Sequence, residues 1–202
     1  VWAQPFAGLS DRMADGTKTY AYNSLFLRFA EGNVRIKAKA GYIAYEGNVE
    51  KGYATGSGQL YNQEGGLVYQ GNFEQNEYSG EGTLYYPIGQ TEYEGQFQNN
   101  LFEGEGTLYR ENGTRKYKGQ FSRGVFEGEG SLFDGADQEI FTGSFHNGEL
   151  LYSQFLGKSA AEIAEVYTGK HQLYQYGTDW AVILEDVDAF YVQSSENNSL
   201  DD

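Results

Sequence analysis

The chain has 202 residues, a formal net charge of −15 and no cysteine. That charge all but excludes nucleic acid and counts against acidic lipid surfaces, since both are held mainly by Lys and Arg. The missing thiols exclude a disulfide framework, a thiolate metal site and a cysteine nucleophile. Aromatic residues make up 16%, with 28 Gly against 2 Pro, a composition that suits many short strands and turns. No run of about 18 apolar residues is present to span a membrane as a helix. The sequence opens at Val1-Trp2-Ala3-Gln4-Pro5 without an initiator Met, as it would after loss of a leader or anchor. The expected location is therefore extracytoplasmic or in the cell envelope, with the cytoplasm as the alternative.

Residues 1–44 read as an N-terminal loop and β-hairpin. Up to about residue 19, Pro5, Gly8, Ser10, Asp11 and Gly16 punctuate a loop with one short helical turn. Two extended runs follow, 24–29 and 34–38, joined by Ala30-Glu31-Gly32-Asn33. Val34, Ile36 and Ala38 alternate with Arg35, Lys37 and Lys39, which makes one face apolar and the other a basic stripe in an acidic chain.

Residues 45–156 repeat one pattern five times. The copies open at Tyr45, Tyr69, Tyr93, Tyr117 and Phe141, each 24 residues after the last. Such a period marks an array in which each unit buries surface against its neighbours. Tyr69, Gly71 and Phe73 alternate with Gln70 and Asn72, and after a short turn Gly80, Gly82 and Leu84 alternate with Glu81 and Thr83. This is the period of half-buried strands, so each copy is one antiparallel hairpin. Glycine inside a strand marks a close approach, here by an aromatic ring of the neighbouring strand. The eighth residue of each copy is Gly52, Asn76, Asn100, Gly124 or Gly148, the residue types that tolerate positive φ in a tight turn. A second turn recurs at Gly65, Gly89 and Gly113; Asp137 stands there in the fourth copy, whose loop is expected to differ.

Tyr-x-Gly-x-Phe, a turn Gly or Asn, then Gly-x-Gly-x-Leu resembles the MORN repeat. Tyr93, Gly95, Phe97, Gly104, Gly106 and Leu108 carry the resemblance, with their counterparts in adjacent copies. It implies an elongated, curved, single-layer antiparallel sheet with an aromatic and glycine groove. It also implies a role in binding protein partners, in self-association or, in some members, in binding phospholipid. The period here is one residue longer than the family's usual one. Glu77, Glu103 and Glu127 stand where the family is often basic, and Glu149-Leu150-Leu151-Tyr152 replaces the Gly-x-Gly element of the fifth copy, where the array ends.

Residues 157–193 change grammar. Ser159 and Glu162 form a capping box before a helix carrying Ile163, Val166 and Tyr167, which Gly169 stops. Strands are expected over 172–176, 180–185 and 189–193, with turns at Gly177-Thr178-Asp179 and Asp186-Val187-Asp188. Helix and strands together read as a cap over the last sheet edge. Residues 194–202 read as a disordered acidic tail.

Little here supports catalysis, and no cofactor or metal is expected. His146 and His171, the only histidines, lack a nucleophile or ligand spacing around them. Glu81, Glu105 and Glu129 share one repeat position and read as a solvated ladder, not as the flanking pair of a glycosidase. Glu185, Asp186 and Asp188, and Asp134, Asp137 and Glu139, are acidic groups without the spacing of a calcium loop. Tyr69, Phe73, Tyr93, Phe97, Tyr117 and Phe121 share one face: they form either a partner-binding groove or a layer that folds over the glycines. A second column, Tyr61, Tyr85, Tyr109 and Phe133, falls on the opposite parity beside Tyr86. The expected fold is mainly β, a MORN-type hairpin-repeat sheet with a small C-terminal α+β cap. The expected function is a non-enzymatic binding or scaffold module for protein partners or self-association. The alternatives are a phospholipid headgroup, held at Arg35, Lys37 and Lys39, or a cell-envelope glycan.

Overall fold

A period of two along the chain and a turn every ten or so residues leave little choice but strands joined by hairpins. The computed structural model describes residues 18–21, 30–38, 41–156, 158–176, 179–185 and 191–194. The loop up to residue 17, the run 24–29, Lys39, Asp186, Asp188 and residues 195–202 lie outside them. The chain divides into two units, residues 1–106 with 111–113, and residues 107–110 with 114–202.

The first unit opens with β1 (Lys18–Ala21), β2 (Gly32–Lys37) and β3 (Ile43–Glu50), followed by β4 (Tyr53–Tyr61), β5 (Leu67–Glu74), β6 (Glu77–Tyr85) and β7 (Thr91–Gln98). β8 (Leu101–Tyr109) carries its last residues into the second unit, which continues with β9 (Arg115–Ser122), β10 (Val125–Phe133), β11 (Glu139–His146) and β12 (Glu149–Leu150). Within the first unit β1 to β7 follow one another as hydrogen-bonded neighbours in chain order, and within the second β9 to β12 do the same. From β2 to β7 and from β9 to β12 the pairings are antiparallel, as the repeat demands; β1 is parallel to β2, with Lys18 opposite Val34. This corrects the expected loop at Lys18 and Thr19: the first described neighbour of β2 is a parallel strand.

Each hairpin closes through two residues in the left-handed region. They are Lys51 and Gly52, Gln75 and Asn76, Asn99 and Asn100, Arg123 and Gly124, and Asn147 and Gly148. Two consecutive positive φ values match the right-handed twist of the flanking strands, which is why such turns favour Gly and Asn. Where the residue is Asn it does more. The Asn76 side chain accepts from the Ala54 N–H at 2.8 Å and its own N–H donates to the Ala54 carbonyl at 3.1 Å, tying one hairpin turn to the preceding copy.

The loops between copies are alike as well. Asp137 takes φ 64°, and its N–H donates to the Asp134 carbonyl as Gly65 does to Asn62. The expectation of a different fourth loop is therefore corrected, because Asp is among the few non-glycine residues that visit this conformation at modest cost.

Past β12 the second unit adds a 3₁₀ turn (Tyr152–Phe155), α1 (Ala160–Val166) and a three-stranded antiparallel sheet of β13 (His171–Tyr176), β14 (Asp179–Leu184) and β15 (Tyr191–Ser194). The capping box is present: Ser159 accepts from the Glu162 N–H at 3.2 Å, and the Glu162 carboxylate accepts from the Ser159 N–H at 2.7 Å. Ile163 and Tyr167 are fully buried.

Candidate functional site

The opening tyrosine of each of the first four copies lies down on the sheet. In the first unit Gly71 pairs with Gly82, and two strands without side chains at that pair leave a bare patch of backbone. The Tyr69 ring covers it, so a Cβ built on Gly82 would stand 2.6 Å from ring atom Cζ. The phenol is satisfied within its own copy, donating to the Asn72 carbonyl at 2.9 Å; Tyr93 donates likewise to Gln96 at 3.0 Å and Tyr45 to Asn48 at 2.8 Å. Burial pushes the Tyr45 phenol up to about 12 and raises Tyr69 and Tyr93 as well.

Other rings enclose each tyrosine. Phe73 and Phe97 meet Tyr69 edge-on, with centroids 5.1 and 5.2 Å away, and Tyr78 stacks on its outer face at 3.7 Å. Phe102 stacks on Tyr93 at 3.9 Å. In the second unit Tyr117 has Phe126 stacked at 3.8 Å and Phe121 edge-on at 5.1 Å. Edge-to-face and stacked contacts of this kind add about 0.5–1.5 kcal/mol beyond burial.

The structure thus places Tyr69, Phe73, Tyr93, Phe97, Tyr117 and Phe121 inside the packing, none more than 5% exposed. What a partner can touch on this side is the outer layer: Tyr78 and Phe102 in the first unit and Phe126 in the second, each partly exposed. Reading the sequence passed over these three. Their signal is the tenth residue of each copy, Ala54, Tyr78, Phe102, Phe126 and Leu150, apolar throughout. A bulge follows it: Phe73 pairs with Tyr78 but Gly71 with Gly82, so β6 spends two extra residues, among them Gly80 at φ 62°, between those pairs, and the parity of Tyr78 stays that of Gly82 and Leu84.

On the basic stripe, Arg35 grips Glu46 through two nitrogens, at 3.2 and 2.6 Å, and Lys37 is exposed. In the second column, Tyr61, Tyr85 and Tyr86 are partly buried in the first unit. In the second unit Tyr109 is also partly buried, while Phe133 is 3% exposed beneath the Arg115 guanidinium, 3.9 Å from its centroid.

The acids Glu81, Glu105 and Glu129 are exposed, as a solvated ladder requires. Asp137 binds Arg115 at 2.9 and 3.0 Å, which holds its carboxyl below the usual range; Asp134 accepts from the N–H groups of Ala136 and Gln138. Among the described residues no group of three or more His, Asp or Glu could hold a metal ion. His146 pairs with Glu127 at 3.0 Å, lowering that carboxyl, and His171 Nδ1 lies 2.9 Å from the Gly169 carbonyl oxygen. No helix among the described residues is long and apolar enough to cross a membrane.

The family model described as MORN repeat matches residues 69–91, 93–115 and 117–134, three of the five copies. No curated protein matches the chain.

Proposed function

Since the chain is a MORN-repeat protein across residues 69–134, we propose that it is a non-enzymatic binding module whose working surface is the outer ring layer, presented to a protein partner or to a second copy of itself. MORN repeats are generally protein- or membrane-binding modules. The observation that carries the proposal is the pairing of Tyr78 on Tyr69 and Phe102 on Tyr93: a fully buried ring holds a partly exposed one flat and rigid. Rigid rings offer contact area at little entropic cost. Repetition of the same contact from copy to copy supplies avidity. The six inner rings support that surface from beneath.

A headgroup role fits less well, because Glu46 already occupies Arg35 and the chain carries a net charge of −15. Light scattering at low and high salt, on the whole chain and on a Tyr78→Ser/Phe102→Ser variant, tests the reading. The expected result is a concentration-dependent dimer that the variant loses while keeping its circular dichroism. A monomer that sediments with anionic vesicles, and is released by salt, would replace this reading with the headgroup one. Salt-insensitive retention on an immobilised envelope glycan would replace it with the glycan one.

A further inference from the structure

The repeat pattern ends inside the second unit, and the ending is filled. The fourteenth residue of the first four copies is Gly58, Gly82, Gly106 or Gly130; in the fifth the count arrives at Gln154, in the 3₁₀ turn. β12 pairs with β11 only at Phe145 with Leu150 and His146 with Glu149, and the chain then leaves the strand. Leu151 N–H still donates to the Ser144 carbonyl at 2.9 Å. The Gln154 side chain does the rest: its Oε1 accepts from the Ser144 N–H at 3.0 Å and its Nε2 donates to the Ser144 carbonyl at 3.0 Å. A primary amide carries the same donor and acceptor as a peptide group. Gln154 therefore gives Ser144 what a continuing strand would have given. Farther along, Thr168 N–H donates to the Ile140 carbonyl at 2.8 Å.

The rings are replaced too. Tyr117 has Phe145 of the following copy 5.0 Å away. Phe141, at the same repeat position, has instead Phe155 at 5.9 Å and Tyr167 at 6.2 Å, both buried. In backbone and in rings, residues 150–156 and 158–168 stand in for the second strand of the fifth copy and for the copy that would follow it.

We infer that this segment is an intramolecular competitor for a strand-docking edge, and that β11, once uncovered, pairs with β11 of a second copy of this chain. The occupant follows from the strand itself. Phe141-Thr142-Gly143-Ser144-Phe145 reads nearly the same in both directions. An antiparallel pair with Gly143 on the two-fold axis sets Gly143 against Gly143 and Phe141 against Phe145, which repeats the pairing of Gly71 with Gly82 and of Phe73 with Tyr78 inside a hairpin. Such an interface is self-complementary and closes at two copies. An uncovered edge of this kind is a template for pairing, and the segment blunts it.

The test uses a Gln154→Ala/Tyr167→Ser variant of the whole chain, made also in the Tyr78→Ser/Phe102→Ser background so that association through the rings is removed. Amide exchange follows folding of residues 69–134 and uncovering of Ser144. The expected result is intact protection across 69–134, fast exchange at Ser144 at dilutions where the mass is that of one chain, and a mass that doubles with concentration as Ser144 becomes protected again. Adding Ser144→Pro should return the mass to that of one chain, because that N–H points away from β10 and its loss spares the remaining sheet. A single-chain mass with Ser144 freely exchanging would overturn the inference, and so would doubling that survives Ser144→Pro. A mass beyond doubling would refute the two-fold pairing, and continued protection of Ser144 in the single chain at high dilution would refute the roles given to Gln154 and Tyr167.

Discussion

Substituting Gly82 by Ala probes whether a tyrosine ring is pressed against the sheet. The Gly82 backbone lies outside the left-handed region, so the substitution carries no conformational strain and only packing is tested. A new Cβ would lie 2.6 and 2.7 Å from Cζ and Cε2 of Tyr69. That ring is 0% exposed and pinned between Tyr78, Phe73 and Phe97, so it cannot swing aside without giving up contacts. Overpacking of this kind costs about 1–3 kcal/mol. Displacing the phenol from the Asn72 carbonyl adds roughly 1 kcal/mol, giving about 2–4 kcal/mol in all. Urea unfolding followed by circular dichroism should show a lower midpoint at unchanged slope. Gly89→Ala is the comparison: at φ 86° with nothing within 4 Å, it meets strain without a clash, about 1–2 kcal/mol. Adding Tyr69→Phe to Gly82→Ala should recover only part of the loss, because Cζ and Cε2 remain in the way. A Gly82→Ala cost below about 0.5 kcal/mol, the range of an ordinary surface substitution, would refute the account of ring and glycine as one packing unit.

Other outcomes follow from the same geometry. Asp137→Gly should keep the left-handed turn that Gly65 and Gly89 make and lose only the Arg115 pair, whereas Asp137→Ala should lose both and unfold at lower denaturant. The Arg115 pair depresses the Asp137 carboxyl below 3.8, so its contribution is present above that pH and fades as pH falls through the folded value; acid titration should show less loss in either variant. For Tyr45, Tyr69 and Tyr93 the sign is opposite, since burial raises the folded phenol above 10.0: stability is intact below that pH and falls above it. Absorbance titration should show these phenols ionising late, together with alkaline unfolding. Ser159→Ala removes an N-cap that accepts from the Glu162 N–H, worth about 1 kcal/mol, and should raise amide exchange at Glu162 while leaving 69–134 unchanged.

Much of this protein is written locally. Alternation at a period of two, paired left-handed residues at each turn and a Ser-x-x-Glu box all act between near neighbours, so the hairpins, their turns and α1 could be read from the sequence alone. The covering of glycines by tyrosines was legible too, as one of two readings of the same face. What the sequence left open depends on residues brought together from different strands. Whether the Tyr69 face is exposed turns on Tyr78, and Tyr78 reaches it because β6 folds back to set Tyr78 opposite Phe73 on that face. Arg35 looked like a free cation until Glu46, directly opposite on β3, took its guanidinium. Gln154 has no strand or helix signal at all; it becomes a surrogate peptide group because the chain, on leaving the sheet, passes beside the outward-facing N–H of Ser144. Sequence fixes which backbone shapes are cheap, but a polar atom's partner and a ring's cover are settled only where tertiary packing brings distant strands within hydrogen-bond and van der Waals reach.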